Sequence, residues 1–219
     1  MHSIPKYDVR QFLNIINEAS DPLDAALLTI GNYIQHNQPT DLASAADVLK
    51  QHGYKEVFNG GKYFRALFHD ITPDDKARFS TVGELYASVV QDIRMDLSKG
   101  EQGFTTSLDN AINFVNGTLW HAASRPEHRP NDPIEPLNSL IVVYEVEAPA
   151  NSVICSMRGL KAFLTQTPQT GYGWRVLNDS INDLWDGYGS DDEVVIDTRA
   201  GVRVIATHLF DSEEHDPDR

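Results

Sequence analysis

The sequence predicts an α+β fold in which helices come first and short strands dominate the rest of the chain. Apolar residues recur at helical spacing from Tyr7 to His52. Beyond Gly60-Gly61, runs of β-branched and aromatic residues alternate with turn signals and shorter helical segments. With 219 residues, the chain is long enough for one domain with a real core, alone or with an appendage.

Composition and charge restrict the class of protein. Hydrophobic residues make up 41% of the chain, which is typical of a globular protein and not of a disordered one. The formal net charge of -14 argues against non-specific binding to nucleic acid or anionic membranes, because phosphate contacts need a basic surface. An enzyme that reaches a nucleic acid through one local patch is not excluded.

Cysteine and histidine content predicts neither a disulfide nor a metal site. Cys155, the only cysteine, follows apolar residues, so we expect a buried structural thiol and not a nucleophile. His121 and His128 have no further ligands at metal-ligand spacing. The N-terminus has no hydrophobic signal core and no stretch of ~18 apolar residues predicts a membrane span, so we expect action in the cytoplasm.

Three helices are predicted in residues 1–58. The first contains Phe12 and Ile16, and the second begins at Pro22. The third runs from Asp41 to Gln51, followed by Gly53 as a left-handed cap. Nothing in this region indicates chemistry, and it is a candidate for binding a partner.

The strands are predicted from apolar and β-branched runs. They are Lys62–Phe68, a short strand at Phe104, Asn138–Glu147, Val153–Ser156, Glu193–Ile196 and Val202–Ala206. The last two are expected to form a hairpin across turn residues Asp197 to Gly201. A capping box at Thr81 and Glu84 predicts a helix that continues to about Ser98.

Arg65 is unusual because it lies inside an aromatic and aliphatic strand. Burying an unpaired guanidinium is costly, so its head must reach solvent or meet an anion. An edge-strand arginine with its head in water and an arginine that binds an anionic group both agree with the spacing.

Three consecutive hydroxyl residues, Thr105, Thr106 and Ser107, follow Phe104. Capping of the next helix is the usual reason for Ser or Thr before an apolar periodic run. On this pattern alone the three hydroxyls therefore indicate a helix start.

Three carboxylates, Asp191, Asp192 and Glu193, follow a glycine-bracketed turn around Tyr188. Because alternate residues of a strand share a face, Asp191 and Glu193 are expected to point to the same side. Two carboxylates at such a short distance raise each other's proton affinity. A protein tolerates this cost mainly where a cationic transition state or a proton transfer compensates for it. The alternative is a solvated acidic loop, the usual explanation for a charge run.

The order Arg65, Phe104-Thr-Thr-Ser107, Tyr188-Gly-Ser-Asp191-Asp-Glu193 resembles the mono-ADP-ribosyltransferases of the arginine, Ser-Thr-Ser, Glu-x-Glu clade. This clade includes bacterial toxins, phage enzymes and vertebrate ectoenzymes. The resemblance covers about residues 60 to 210. The chain departs from the family pattern where Thr105 replaces the first serine and Asp191 replaces the first Glu or Gln.

The resemblance implies an ADP-ribosyltransferase-like pair of small, mostly antiparallel sheets that form an NAD cleft, with the N-terminal helices packed on them. It implies a helical region at 1–58 and a catalytic domain at 59–210. The acidic tail at 211–219 is expected to be disordered.

By resemblance, the catalytic residues are Glu193, Arg65 and Asp191, and Ala66 contacts NAD. Glu193 would bind the ribose and stabilise the positive charge that develops on the sugar as nicotinamide leaves. Arg65 would bind a phosphate or ribose oxygen of NAD through its fork of donors. The backbone of Ala66 would bind the nicotinamide amide.

The resemblance gives supporting roles to four further residues and assigns the acceptor chemistry to Asp191. Thr105 would orient Glu193 by a hydrogen bond, and Thr106 and Ser107 would hold the strand end. Asp191 would position or deprotonate the acceptor. Tyr188 would stack on the acceptor or recognise it.

The implied function is an NAD-dependent mono-ADP-ribosyltransferase, a toxin or effector that uses NAD as co-substrate and no metal. Its acceptor is a macromolecule, and the acidic charge favours a protein side chain over RNA or DNA. An NAD glycohydrolase and a catalytically inactive binding module of the same fold are the alternatives. An inhibitor or antitoxin protein is a further candidate partner, and no membrane partner is expected.

Overall fold

The computed structural model describes residues 21–36, 41–90, 95–116, 127–166, 171–188 and 193–211. Over these ranges the protein is α+β, as predicted. The helices are α1 Pro22–His36, α2 Leu42–Gln51, α3 Pro73–Arg78, α4 Val82–Val89, α5 Leu108–Asn116, α6 Met157–Gln166 and α7 Tyr172–Tyr188. The strands are β1 Gly61–Asp70, β2 Glu101–Thr105, β3 Ser139–Ala148, β4 Val153–Ser156, β5 Glu193–Asp197 and β6 Arg203–Phe210. The first predicted helix lies outside the described residues.

Local sequence signals place several helix ends as predicted. Pro22 begins α1, and the Asp41 side chain caps α2 by accepting from the Ser44 N–H at 3.0 Å. Gly53 follows α2 with φ at +103°, the left-handed conformation that glycine adopts without strain.

Helix α4 is shorter than the sequence predicted. It begins at the predicted capping box but ends at Val89, and residues 97–99 form a separate 3-10 turn. The Asp96 side chain accepts from both the N–H and the hydroxyl of Ser98, at 2.9 and 2.6 Å. This local pairing competes with continuous helix at residues 96–98.

The six strands form one antiparallel sheet in the order β4-β5-β2-β1-β3-β6. The expected pair of sheets corresponds to two three-stranded halves, β4-β5-β2 and β1-β3-β6. A single residue pair, Phe64 opposite Thr105, joins them, whereas ten pairs join β1 to β3. The prediction of two separate sheets is corrected, because this one pair joins the two halves into a single hydrogen-bonded sheet.

The predicted hairpin between β5 and β6 does not form, since the two strands belong to different halves. Strand β5 pairs with β2 and β4, and β6 pairs with β3. The reason lies in Thr198, which is buried after β5 and shares its single hydroxyl hydrogen between the carbonyls of Leu97 and Gly100, both at 2.8 Å. These bonds hold the turn against the start of β2, so β6 leaves towards β3.

Strand β3 lies inside the sheet, as its continuous apolar sequence predicted. Nine of its ten residues are buried. On one face, its Leu140, Val142 and Val146 join the larger core; on the other, Ile141 and Val143 pack against Ile112 of α5. Helix α5 therefore covers the face of the sheet that also carries Phe64.

The chain divides into two compact units that differ from the predicted boundaries. One contains residues 1–57 and 157–186, and the other contains residues 58–156 and 187–219. Residues 157–186, assigned from the sequence to the catalytic domain, thus pack with the N-terminal helices. In this unit the Asp24 carboxylate of α1 accepts from the Gly173 N–H of α7 at 2.8 Å. That the second unit is catalytic stays a prediction, and the tail beyond Asp211 lies outside the described residues.

Helix α7 corrects the expectation for Tyr188. The glycine-bracketed segment was predicted to be a turn, but the helix runs through Gly187 and ends at Tyr188. A glycine near a helix end costs only about 1 kcal/mol relative to alanine, so the 17-residue helix tolerates it. None of the helices in the described ranges is both long and apolar enough to cross a bilayer.

The capping box of α4 supplies the first prediction. Thr81 accepts from the Glu84 N–H at 3.3 Å, and the Glu84 carboxylate accepts from the Ser80 N–H at 2.8 Å. Thr81→Ala leaves a helix donor without its partner and is expected to lower the free energy of unfolding by about 1 kcal/mol in urea denaturation. Thr81→Ser keeps the oxygen and should stay close to the parent; equal losses in both variants would contradict the capping role.

Candidate active site

A cavity of about 80 Å³ lies where β1 and β2 separate. All of its lining residues belong to the unit that contains the sheet. They are Phe64, Arg65 and Ala66 from β1, Gly103, Phe104 and Thr105 from β2, Asn110 and Ala111 from α5, and Glu193 from β5. Both halves of the sheet therefore contribute to one cavity.

The cavity exists because the ladder between β1 and β2 stops after one pair. Continuing the register beyond Phe64 and Thr105 would place Arg65 opposite Phe104, yet the strands are paired at that first position alone in the described structure. The Gly103 carbonyl instead accepts a hydrogen bond from Nη1 of Arg65 at 2.6 Å. A side chain thus occupies the gap between the two strands.

Arg65 lies on an interior strand, so the edge-strand explanation is wrong. Strand β1 has β2 on one side and β3 on the other. The guanidinium is partly buried, bonds to the Gly103 carbonyl, and lies 6.0 Å from the centre of the Phe104 ring. A carbonyl and an aromatic face both stabilise a cation that is withdrawn from water.

Glu193 is the first residue of β5 and lies directly opposite Thr105. In an antiparallel pair, opposite residues project to the same face, so Glu193 extends over β2 towards the cavity. Burial raises the pKa of Glu193 from 4.5 to about 7, and the nearby positive charge of Arg65 acts in the opposite direction. A carboxyl group with this pKa exchanges a proton near neutral pH, as a general acid or base requires.

The three hydroxyl residues take different positions. Thr105 is buried and lines the cavity, Thr106 is exposed, and Ser107 is partly buried. The Thr105 hydroxyl accepts from the Ser107 N–H at 3.3 Å, and the Ser107 hydroxyl accepts from the Asn110 N–H at 3.4 Å. Ser107 therefore caps α5. No side-chain hydrogen bond between Thr105 and Glu193 is found among the described residues, in contrast to the role that the resemblance implied.

The remaining predicted residues divide between the cavity and the undescribed part of the chain. Ala66 lines the cavity, two positions along β1 from Phe64 and on the same face. Asp191 lies outside the described residues. The backbone of Tyr188 ends α7, and its side chain is likewise outside what the structure describes.

Two lining residues, Gly103 and Asn110, were not singled out in the sequence. Gly103 lies inside a strand, where a glycine often signals a close approach of another group. Asn110 lies in the first turn of α5, which Ser107 caps. No pattern marks it, since asparagine near a helix start is common.

Comparison of the chain with protein-family models, with curated protein sequences and with solved structures gave no match. The family assignment therefore stays a resemblance carried by the quoted residues. Within the described ranges, no group of three or more His, Cys, Asp or Glu side chains is arranged to bind a metal ion. The function must be argued from the cavity itself.

The charge balance at Glu193 gives a titration prediction. Arg65→Gln removes the positive charge but keeps an N–H donor for the Gly103 carbonyl, so the pKa of Glu193 is expected to rise above about 7. Carbon-13 NMR of the Glu193 carboxyl in the parent and the variant measures this. Arg65→Lys keeps the charge and serves as the control. A pKa that falls in Arg65→Gln while Arg65→Lys is unchanged would contradict the assigned balance.

Burial of Glu193 also predicts a dependence of stability on pH. The folded-state pKa of about 7 lies above the ordinary value of 4.5, so the native protein binds more protons and loses stability as pH rises between these values. Glu193→Gln removes this loss and is expected to be more stable than the parent at pH 8.5, by on the order of 1 to 3 kcal/mol. The difference in the free energy of unfolding should vanish near pH 4, and urea denaturation at both pH values measures it. A Glu193→Gln variant that is no more stable than the parent at pH 8.5 would contradict the prediction.

Proposed function

We propose that this protein is an NAD-dependent ADP-ribosyltransferase whose catalytic carboxylate is Glu193. The observation that carries the proposal is that Arg65 and Glu193, from opposite halves of the sheet, line one cavity. A guanidinium and a carboxylate are the two charged groups that the reaction needs. Burial gives the Glu193 carboxyl group a pKa of about 7, so it is mostly ionised above neutral pH.

The charge of each group suits one part of the substrate. Cleavage of the nicotinamide–ribose bond leaves the electron pair of that bond on nicotinamide, and positive charge develops on the sugar. The buried Glu193 carboxylate, which lines the cavity, stabilises that charge, since removal from water strengthens the attraction. The guanidinium of Arg65 binds a phosphate or ribose oxygen, since its fork of donors matches paired oxygens.

The walls of the cavity fit one end of NAD. Apolar surface suited to a flat nicotinamide ring is presented by Phe64, Ala66 and Ala111. Glu193 lines the same cavity and would contact the ribose attached to that ring. At about 80 Å³ the described cavity is too small for the whole dinucleotide, so only the nicotinamide end would enter it. The rest of NAD would extend out of the opening.

The acceptor attacks the ribose carbon, forms the new bond there and gives up a proton. By resemblance, Asp191 positions or deprotonates the acceptor, and Tyr188 stacks on the acceptor or recognises it. A protein acceptor is favoured because an acidic protein with net charge -14 repels nucleic-acid phosphates. Effector or toxin activity in the cytoplasm is the biological setting that the family suggests, with an inhibitor protein as a second partner.

The test is incubation of the protein with adenylate-labelled NAD and a cell lysate. Label on protein supports the proposal in full, and label on RNA or DNA changes the acceptor only. Free labelled ADP-ribose without transfer indicates a glycohydrolase. Unchanged NAD at every pH from 6 to 9 indicates a binding module and overturns the proposal.

Glu193→Gln tests the catalytic assignment. Loss of the carboxylate is expected to lower the rate about 10² to 10³-fold, because transition-state charge is no longer balanced. Glu147→Gln is the matched control: Glu147 is an exposed carboxylate outside the cavity that pairs with Arg203 on the surface, where ion pairs contribute little. Full activity in Glu193→Gln would remove Glu193 from the mechanism.

The parent rate should also rise with pH through about 7, as Glu193 ionises.

A further inference from the structure

We propose that Gly103 is a positioning residue that fixes both charged groups of the site, Glu193 through its missing side chain and Arg65 through its carbonyl. The effect on catalysis rests on the proposed function, whereas the effect on the Glu193 carboxyl group does not. Gly103 touches both groups without taking part in the chemistry itself.

The space for the Glu193 carboxylate is the space that a Gly103 side chain would fill. A Cβ atom built on Gly103 would lie 2.8 Å from Oε1 of Glu193, closer than such atoms approach. The same Cβ would lie 3.9 Å from Nη1 of Arg65, an ordinary contact. Any larger residue at this position therefore displaces Glu193 and leaves Arg65 in place.

Backbone conformation does not explain the glycine. The glycines with positive φ in the described chain are Gly53, Gly100 and Gly201, and Gly103 is not among them. It lies in β2 opposite Val195, in a regular antiparallel ladder. Glycine weakens a strand interior and is found there mainly where another group approaches closely. The close group here is the carboxylate.

The Gly103 carbonyl fixes the other half of the site. It accepts from Nη1 of Arg65 at 2.6 Å, across the gap where β1 and β2 separate. One residue of β2 thus sets the positions of a cation from β1 and an anion from β5. Because the two contacts use different atoms, a side chain added at Gly103 disturbs the anion selectively.

Gly103→Ala is the test variant and Gly61→Ala its matched control. Gly61 also lies in a strand, and a Cβ built there meets nothing within 4 Å. In Gly103→Ala the carboxylate is pushed off β2 towards water, so its pKa by carbon-13 NMR is expected to fall by about one unit from about 7. The pH midpoint of the reaction should fall with it, and kcat should drop about 10 to 100-fold.

The Glu193→Ala variant, used as a second background, shows whether an effect of Gly103→Ala comes from displacement of the carboxylate or from damage to β2. In Glu193→Ala the atom that clashes is gone, so adding Gly103→Ala should change the thermal unfolding midpoint no more than Gly61→Ala does in that background. In the parent background, Gly103→Ala should lower the thermal unfolding midpoint more than Gly61→Ala does. This coupling is measured without any substrate.

The outcomes distinguish the two proposals. An inactive parent whose Glu193 pKa still falls in Gly103→Ala overturns the proposed function and supports the positioning role. An active parent in which Gly103→Ala keeps the parent pKa, pH midpoint and kcat overturns the positioning role alone. A loss of kcat in Gly103→Ala with the Glu193 pKa unchanged also overturns it, because the carboxylate has then not moved.

Discussion

The hydrogen bond from Arg65 to the Gly103 carbonyl is the contact on which the rest of the site depends. At this point β1 and β2 stop pairing, and a backbone acceptor would be left without a partner in a largely apolar region. The guanidinium satisfies that acceptor and keeps the strands apart. The cavity lies at this open ladder, the pairing of β5 with β2 brings Glu193 to it, and burial there raises the pKa of the Glu193 carboxyl group.

The site holds two opposed effects in balance. Removal from water favours the neutral form of Glu193, and the charge of Arg65 favours the ionised form. Desolvation is the larger effect, which leaves the pKa near 7, where a small change in surroundings changes the fraction ionised. Polar groups arranged at a cost to folding are typical of functional sites, and a carboxyl group in a simple structural ion pair has its pKa lowered, as at Asp197 beside Arg199.

Much of the fold could be predicted from residue patterns, and the exceptions have physical causes. Continuous apolar residues predicted the buried β3, and capping residues predicted where α2 ends and where α4 begins. Arg65, Thr105 and Glu193 were selected as unusual, and they share a cavity. The partner of Arg65 was not predictable because a backbone carbonyl has no signature in sequence. The failed hairpin depended on Thr198 bonding to residues about a hundred positions earlier, which no local pattern records.

The order of the strands in the chain has a consequence for biosynthesis. Ribosomes deliver the N-terminal segments first, so Arg65 and Gly103 leave the exit tunnel long before Glu193 does. Strand β2 also cannot form its ladder with β5, which pairs with all of its residues, until β5 has been synthesised. On the proposed function, nascent chains have the cationic half of the site and lack its acid. A host that synthesises this protein would meet no transferase activity from unfinished or prematurely terminated products.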